Sequence, residues 1–595
     1  MNLLKKITAI GLGISLIFSA IPADAATKGE TQNKSTFDYS TGESVTYYLQ
    51  GRSTGSSTDL KSSQWALHND GTFIAESEAD GYGIYDDLLG GLEDWLGGYD
   101  DFFGEIEDWF GFPGMSDWFG GGYGNGGRGF WSFGTRGWGY SNETQNTAVE
   151  GIDINYDEAW KKYSANSSNK DVIVAVIDTG VDYNHEDLAD SIWVNEDEIP
   201  GNGIDDDKNG YIDDVYGWNF YDNSNVVYTG SNDDHGTHCA GTIAANTDNG
   251  IGIAGVTGGK NVKVMILKAL GGWDGTGETL SVVQAIKYAE ANGASIVNLS
   301  FGSSYSDELL YNTMASSNML FVVASGNGSD FTGRGYNADA SPCYPASYDL
   351  DNIISVANLS YNGNLHSSSN YGEKSVDIAA PGTSIISTTP GNGYEYMTGT
   401  SMSAPFVTAA AALVYSYYDG ITLSDVKSIL LNSAKKLDSL NGKVASDGML
   451  DLGSALSYDT SKLSHSSFAT KKSKGSAPEL SYTAYIQNNK IHISVSISDK
   501  DNDIYALFYA NGEMSAAEFG TGRNGTEYKL RNSSVANFTS SNYGKYSFYA
   551  IDSEGNETVL VINLTKDNVE ERAGSGSQNS GQPSGRGGSS RRWYW

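Results

Sequence analysis

Three residues far apart in the chain are of the types that together make a serine hydroxyl reactive. Asp178 stands in an Asp-Thr-Gly segment, His235 in a His-Gly-Thr-His segment, and Ser401 in a Gly-Thr-Ser-Met-Ser segment. A serine hydroxyl is a weak nucleophile until a neighbouring base takes its proton, and a histidine base needs an acid that holds it in one tautomer. The segments therefore predict an acid (Asp178), a base (His235) and a nucleophile (Ser401) that meet at one site.

Each segment alone has an ordinary explanation: an Asp after a strand often caps a turn, His-x-x-His can bind a metal, and Gly-x-Ser is frequent by chance. Ser401 is predicted to begin a helix over residues 402–418, with Pro405 in the first turn, where a missing N–H costs nothing. The helix N-terminus and the Ser401 N–H would then face an oxygen that gains negative charge. His238 is expected to pack near the site rather than to react.

The elements that must position these residues alternate between strands and helices. Residues 171–178 form a continuous apolar run, as is typical of a strand covered on both faces. Residues 294–299 and 320–324 have the same character, and residues 280–291 between them have helical spacing. We predict an α/β fold in which helices flank a parallel sheet and functional residues lie at the carboxyl ends of strands.

These motifs resemble those of the subtilisin-like serine proteases (subtilases) over residues 150–457. The order Asp, His, Ser along the chain is the subtilisin order. Further similar segments are Asn-Leu-Ser-Phe-Gly at 298–302, Ala-Ser-Gly-Asn-Gly at 324–328, Tyr-Pro-Ala at 344–346 and Ala-Pro-Gly at 380–382. The resemblance implies a subtilisin-like fold and serine endopeptidase activity, with the Asn327 side-chain amide donating to the oxyanion.

The resemblance also implies a cleft that pairs with the backbone of an extended peptide and so has broad specificity. The residues it assigns to this cleft are Gly275, Thr276, Gly277, Ser300, Phe301, Gly302, Ala324, Ser325, Gly326 and Cys343. The pocket for the residue before the cut would lie between 300–302 and 324–326, with Cys343 at its floor. We expect apolar side chains to be preferred there, because no carboxylate is placed to pair with Lys or Arg.

Two calcium sites are predicted. The first is an acidic turn at Gly210 that resembles an EF-hand loop without its closing Glu, formed by Asp205, Asp207, Asn209, Tyr211 and Asp214. The alternative for this turn is a solvated acidic loop. The second site is implied by the resemblance and consists of Asp187 and Asn249 with the carbonyls of Ile251 and Ile253.

The 595-residue chain is long enough for two or three domains. The predicted segments are a signal peptide (1–25), a polar N-terminal segment with a short packed motif at 64–71 (26–80), a Gly/aromatic acidic insert (81–149), the catalytic domain (150–457), a linker (458–478), a small Ig-like antiparallel β-sandwich (479–566) and a disordered Gly/Ser/Arg tail (567–595). The 37 basic and 73 acidic residues give a net charge of −36, which disfavours nucleic acid as a partner.

The N-terminus predicts export. Lys5 and Lys6 precede an apolar stretch at 7–21, and an Ala-Asp-Ala cleavage site ends at Ala25. The alternative is a membrane anchor, which needs an apolar run of about 20 residues. The stretch at 7–21 is shorter than that, and no later segment is long and apolar enough to span a membrane. We expect a secreted, extracellular or cell-surface protein that lacks a transmembrane segment and keeps Cys239 and Cys343 unpaired.

The acidic insert contains two similar copies, at 85–96 and 99–110, each with one apolar helical stripe and an acidic face. It is predicted to be a helical pair packed on the catalytic domain. The alternatives are a lid, a regulatory or partner-binding element, or a substitute for a propeptide.

Three functions stay open: a broad endopeptidase acting on proteins or peptides, a protease dedicated to one precursor, and an inactive calcium-binding adhesion protein whose sandwich binds a surface partner. The intact Asp178, His235, Asn327 and Ser401 favour activity.

Overall fold

The computed structural model describes residues 64–70, 148–272, 275–328, 333–471, 475–519, 525–530, 533–571 and 592–593. The predicted signal peptide, the repeats of the acidic insert and most of the C-terminal tail lie outside the described residues. Within them, no helix combines the length and the apolar content that crossing a membrane requires.

A nine-stranded sheet forms the centre of the predicted catalytic domain. Its strands are β1 (Val172–Asp178), β2 (Gly217–Asn219), β3 (Val262–Lys268), β5 (Ile296–Leu299), β6 (Leu320–Ala324), β7 (Ile353–Leu359), β8 (Ile378–Pro381), β11 (Lys435–Lys436) and β12 (Gly448–Met449). The strand order is β11-β12-β8-β7-β6-β5-β1-β3-β2, and every pair is parallel except β11 with β12. The predicted α/β fold with a parallel sheet is confirmed.

Three further strands of this region lie outside the sheet: β4 (Gly277–Glu278), β9 (Ile385–Thr389) and β10 (Gly393–Met397). The α-helices of the described residues are α1 (Tyr156–Ala165), α2 (Asp234–Ala244), α3 (Thr279–Ala291), α4 (Glu308–Ser316), α5 (Thr400–Tyr417), α6 (Leu423–Ser433), α7 (Leu452–Ala455) and α8 (Ala516–Phe519). Short 3-10 helices span Ala189–Ser191, Ser231–Asp233, Asp438–Leu440 and Thr460–Lys462.

Helices cover both faces of the sheet, which explains the continuous apolar run of β1. Val174 and Val176 belong to the buried cluster that contains α2 and α5, whereas Ala175 and Ile177 belong to the cluster of α3 and α4. The helix α5 is buried on all sides from Thr400 to Val414, as is typical of an apolar core helix. Its start lies near the carboxyl ends of β5 and β6, where Ser401 contacts Ser300 and Thr400 contacts Asn327.

The short segment 64–70 packs into the core of the predicted catalytic domain. The Gln64 side-chain amide makes two hydrogen bonds with the backbone of Ala254, at 2.8 and 2.9 Å. Trp65 is buried and donates its indole N–H to the carbonyl of Thr383 at 2.9 Å. This predicted motif is thus packed, although it precedes the catalytic domain by an insert of more than 70 residues.

The C-terminal unit has two four-stranded sheets that share one core. Its strands are β13 (Glu479–Gln487), β14 (Lys490–Ser498), β15 (Ile504–Asn511), β16 (Thr526–Glu527), β17 (Val535–Ser540), β18 (Gly544–Asp552), β19 (Glu557–Leu564) and β20 (Glu570–Glu571). The sheet orders are β17-β14-β13-β20 and β16-β15-β18-β19. Ile493 and Val495 from the first sheet and Phe548 and Ile562 from the second meet in the core between them. The assignment to the Ig-like class stays a prediction.

Candidate active site

The carboxylate of Asp178 and the ring of His235 meet at the edge of the sheet. Asp178 ends β1, His235 lies in the first turn of α2, and the two side chains are only 1% and 2% exposed. The His235 Nδ1 atom lies 2.8 Å from Asp178 Oδ1. A proton held on Nδ1 by this carboxylate leaves Nε2 as the basic nitrogen of the ring. The acid and base predicted from sequence are brought together.

A buried ion pair fixes the start of α2 against the end of β1. Lys268 ends β3 and stands beside Asp178 in the strand register. Its ammonium lies 2.6 Å from Asp233 Oδ1 and also donates to the carbonyl of Thr179. Burial raises the pKa of the Asp233 carboxyl, and the Lys268 charge opposes this effect. Sequence analysis missed this pair, because neither residue stands in a motif that names its partner.

The position of Pro405 corrects the predicted start of the helix. Helix α5 begins at Thr400, so Ser401 is its second residue and Pro405 lies in the second turn, not the first. Because proline has no N–H, it cannot donate to the carbonyl four residues earlier, which is that of Ser401. The Ser300 hydroxyl donates to this carbonyl at 2.9 Å, and the Cys239 thiol lies 3.6 Å from it.

Buried hydrogen bonds hold Ser300 in turn. Asn298 donates its side-chain N–H to the Ser300 hydroxyl at 2.9 Å, and the Thr408 hydroxyl donates to the side-chain oxygen Oδ1 of Asn298 at 2.9 Å. The Ser401 hydroxyl donates to the Ser300 carbonyl at 3.0 Å. A chain of side chains therefore links the interior of α5 to the backbone of Ser401.

Cys239 contacts Ser401 and lies close to the predicted acid and base. It lies one turn after His235 on α2, and residues four apart share a helix face. Side-chain atoms of Asp178, His235 and Cys239 lie within 4.8 Å of one another. Because the thiol also contacts the Ser401 carbonyl, the start of α5 lies against the face of α2 that carries His235. Burial raises the pKa of this thiol, so it stays protonated.

The Asn327 side chain presents its amide nitrogen near the start of α5. Its oxygen accepts hydrogen bonds from the backbone N–H of Thr400 at 2.8 Å and from the Thr400 hydroxyl at 3.1 Å. The nitrogen Nδ2 lies 3.2 Å from the point where a side chain at Gly399 would begin. The amide group left to donate therefore lies beside the nucleophile segment.

The loop that leads to segment 275–277 begins next to the predicted acid. The backbone N–H groups of Ala269 and Leu270 both donate to the carbonyl of Asp178, at 3.0 and 3.1 Å, and Gly271 N–H donates to the Thr276 carbonyl at 3.0 Å. Strand β4 follows, and β21 (Arg592–Trp593) pairs with it as an antiparallel strand. This edge therefore accepts an added extended segment.

Cys343 lies between the two segments predicted to form the specificity pocket. Its sulfur is 2.8 Å from the Cβ position of Gly302 and 3.0 Å from that of Gly326. Burial raises the pKa of Cys343 to about 11. The side chains of five further predicted cleft residues are buried, so their backbone is the part available to a peptide: Thr276, Ser300, Phe301, Ala324 and Ser325.

The acidic turn gathers a carboxylate that sequence analysis missed. Glu198 joins Asp205 and Asp207, and their carboxylate oxygens lie within 4.8 Å of one another. Burial raises the pKa of Glu198, and the neighbouring Asp214 and Asp207 charges add to the rise. The sequence pattern gave little indication of Glu198, because this residue lies outside the alternating acidic residues of the turn.

Asp214 is held by other partners. It accepts hydrogen bonds from the hydroxyl of Tyr288, from the amide of Asn195 at 3.0 Å and from that of Asn209 at 2.9 Å. The side chain of Tyr211 packs among aromatic rings and is buried. Asp205 and Asp207 are thus the predicted residues that face Glu198.

The second predicted calcium site brings Asp187 and Asn249 together. The buried Asp187 carboxylate accepts hydrogen bonds from the Asn249 side-chain N–H at 2.8 Å, from the Ile253 backbone N–H at 2.9 Å and from the Tyr394 hydroxyl at 3.3 Å. Asn249 accepts the N–H of Ile251 at 2.9 Å. A third acidic group of the described residues, Asp499, Asp503 and Asp552, lies in the C-terminal unit and was not predicted.

Comparisons with known proteins extend these findings. A family model described as the Subtilase family matches residues 169–452. The chain is 38% identical over 303 residues to "Subtilisin-like protease 1" of Plasmodium falciparum (isolate 3D7), which covers 48% of the chain and 43% of that protein. It therefore spans less than half the length of that relative.

A bacterial relative is covered more completely. The "Major intracellular serine protease" of Bacillus subtilis (strain 168) is 37% identical over 278 residues, 46% of this chain and 76% of that protein. A solved protease structure from Pseudoalteromonas arctica PAMC 21717 is 28% identical, with a TM-score of 0.40, over 51% of this chain and 94% of that one. On the family model and the bacterial relative, the chain belongs to the subtilase family.

Proposed function

We propose that the chain is a secreted serine endopeptidase in which Asp178, His235 and Ser401 cleave peptide bonds. The observation that carries this proposal is the buried 2.8 Å contact between Asp178 and His235, on the helix face against which the start of α5 packs. Membership of the subtilase family supports endopeptidase activity in general terms.

The reaction would proceed in two halves. The Ser401 hydroxyl turns from the Ser300 carbonyl, gives its proton to His235 Nε2 and bonds to the peptide carbonyl carbon. The oxygen of that carbonyl becomes negative and accepts hydrogen bonds from Asn327 Nδ2 and the Ser401 N–H. Collapse breaks the C–N bond, and His235 gives its proton to the leaving amine. Water then releases the acyl group by the same steps, with His235 again as base.

The cleft supports a substrate that is bound as an added strand. The backbone pairing of β21 with β4 shows the kind of contact that this edge makes, although a substrate would have to displace it. Because Cys343 is a small apolar group between 300–302 and 324–326, we propose an apolar residue before the cut. A peptide library is expected to give cleavage after apolar residues; dominant cleavage after Arg would contradict this specificity.

Calcium would serve structure rather than chemistry. The oxygens of Glu198, Asp205 and Asp207 suit a hard divalent cation, which would relieve the repulsion among them.

Export would remove residues 1–25, and mass spectrometry of the secreted protein would identify its first residue.

The decisive experiment is labelling with a fluorophosphonate, followed by hydrolysis of casein. Wild-type protein is expected to be labelled at Ser401 and to degrade casein, whereas the Ser401→Ala variant should do neither. Wild-type protein that folds but stays unlabelled and inactive would contradict the proposal.

A further inference from the structure

The C-terminal unit packs on the catalytic domain through the outer face of its second sheet. Aromatic and aliphatic side chains from both parts form one buried cluster, which includes Phe508, Phe519, Tyr549 and Ile551 with Tyr211, Phe220 and Tyr288. The phenol ring of Tyr549 stacks on Phe519 at 5.5 Å. This face of the unit is therefore occupied from within the chain.

Polar contacts attach the unit to the two helices that follow the proposed cleft segments. On α3, Gln284 donates to Glu557 at 3.2 Å and Lys287 donates to the carbonyl of Gly555 at 2.8 Å. On α4, the buried Asn312 amide donates to the carbonyl of Ser553 at 2.7 Å. Helix α3 continues directly from β4, and α4 follows the 300–302 segment.

One buried carboxylate, that of Asp307, joins these helices to the C-terminal unit. Its Oδ1 atom accepts the N–H of Leu309 at 3.0 Å and so caps α4. Its Oδ2 atom accepts two hydrogen bonds. One comes from the hydroxyl of Thr279, the first residue of α3, at 3.3 Å, and the other from the hydroxyl of Tyr505 on β15 at 2.9 Å. The two helix starts and the C-terminal unit therefore share one acceptor group.

The backbone of Asp307 is tied to the loop at the floor of the proposed pocket. Its N–H donates to the Tyr348 hydroxyl at 3.0 Å, and that hydroxyl donates to the Asp307 carbonyl at 2.9 Å. The loop that carries Tyr348 also carries Cys343, and its Tyr344 exchanges two 2.8 Å backbone hydrogen bonds with Ser303. Segments 275–277 and 300–302 and the loop that carries Cys343 thus all connect to Asp307.

We propose that the C-terminal unit braces the substrate cleft through the Tyr505–Asp307 hydrogen bond, which makes Tyr505 a positioning residue for extended peptides. This inference rests on the proposed function, since it concerns how that cleft binds its substrate. Tyr505 holds Asp307, and Asp307 fixes the start of α3 and hence the direction of β4. A peptide that spans β4 needs this edge in place, whereas a short substrate that reaches only the Cys343 pocket does not.

The test compares Tyr505→Phe with wild-type protein on two substrates cut by the same serine: an ester with one residue before the cut and a peptide with four. Loss of a hydrogen bond to a buried carboxylate is expected to raise KM for the long peptide roughly tenfold. We expect kcat for the peptide and both constants for the ester to stay within about twofold. Tyr482→Phe, on an exposed tyrosine of the other sheet, is the matched control and should leave every constant unchanged.

A second variant keeps the inference testable if the phenol alone contributes little. Asp307→Asn retains the shape and a helix-capping oxygen but offers an N–H to one of the two hydroxyls, so KM for the long peptide should rise further. Unchanged KM in both variants, or an equal loss on the ester and the peptide, would overturn the brace while wild-type activity still supported the protease. Wild-type protein that is neither labelled nor active would overturn the proposed function itself.

Discussion

Thr400 holds the side-chain oxygen of Asn327, which leaves the amide nitrogen beside Gly399, in the segment of the predicted nucleophile. A bond from this nitrogen to the substrate oxygen strengthens only when that oxygen becomes negative, so its loss should lower kcat more than it raises KM. We expect Asn327→Ala to reduce kcat by ~10²–10³-fold, the loss measured for such a donor in a subtilisin. Steady-state kinetics on a peptide would check this, and an unchanged kcat would remove Asn327 from the mechanism.

The Ser300 hydroxyl replaces a backbone donor that Pro405 cannot supply. We expect Ser300→Ala to leave the buried Ser401 carbonyl short of a partner and to lower the free energy of unfolding by about 1–3 kcal/mol. Activity should fall as well, because the nucleophile loses the contact that positions its backbone.

A double variant separates this explanation from a simple cavity. In Ser300→Ala/Pro405→Ala, the new N–H at residue 405 can donate to the Ser401 carbonyl, so part of the lost stability should return. Urea unfolding of the two single variants and the double variant gives the coupling energy. Strictly additive losses would show that the Ser401 carbonyl does not depend on Ser300.

At the scale of elements, His238 links α2 to the hairpin of β9 and β10. Its Nε2 atom donates to the carbonyls of Ile385 at 2.9 Å and Glu395 at 3.2 Å. Burial lowers the pKa of His238 to about 3. The unfolded chain therefore binds a proton at this residue below about pH 6.5, while the folded chain does not.

The folded state should therefore lose stability as the pH falls below about 6.5. The contribution of neutral His238 is present above about pH 6.5 and is lost as the pH falls towards 3, by a total on the order of 5 kcal/mol. We expect His238→Gln, which keeps a donor for the carbonyls, to flatten the fall in stability between pH 6 and 4. Melting temperatures across this range would check it; parallel curves for the two proteins would contradict the prediction.

The acidic turn is the second element whose stability should depend on solution conditions. If calcium binds Glu198, Asp205 and Asp207, EDTA should lower the melting temperature and the activity of wild-type protein together. Glu198→Gln should melt lower than wild type in calcium and respond less to EDTA. Lys208→Ala, in the same turn, serves as the control. An equal response of wild type and Glu198→Gln to the chelator would exclude this turn as the site.

The elements show which features sequence could predict. The apolar run of β1 indicated a strand covered on both faces, because such burial leaves no polar positions to alternate. The predicted start of α5 at residue 402 is two residues late, because the prediction places Pro405 in the first turn, where no backbone N–H is used. In the structure Pro405 lies in the second turn. Here the hydroxyl of Ser300, the residue after β5, donates the missing hydrogen bond, and that partnership depends on tertiary structure.

At the scale of the whole molecule, the contacts that sequence did not predict are those between distant parts. Lys268 with Asp233, and Asp307 with Tyr505, are single polar residues whose partners are 35 and 198 positions away. The alternation of β14 predicted its buried and exposed faces, but nothing in β15 or β18 indicated that their other face packs on α3. For that reason the prediction of a C-terminal sandwich did not include this packing.

The shared core predicts how the molecule unfolds. Because Phe508, Tyr549 and Ile551 are buried in the same cluster as Tyr211 and Phe220, the C-terminal unit cannot leave without exposing apolar surface on both parts. Calorimetry of the full chain, in the Ser401→Ala background to prevent self-digestion, should therefore show one cooperative transition.

Truncation tests the same point from the other direction. A chain that ends at residue 471 is expected to melt at a much lower temperature or to aggregate, since α3 and α4 lose the covering of their outer surface. A chain that ends at residue 571 removes only the tail and β21 and should melt as the full chain does. Two separate transitions in the full chain, together with an undiminished melting temperature after truncation at 471, would show that the catalytic domain is stable without its C-terminal unit and that the buried cluster between them contributes little.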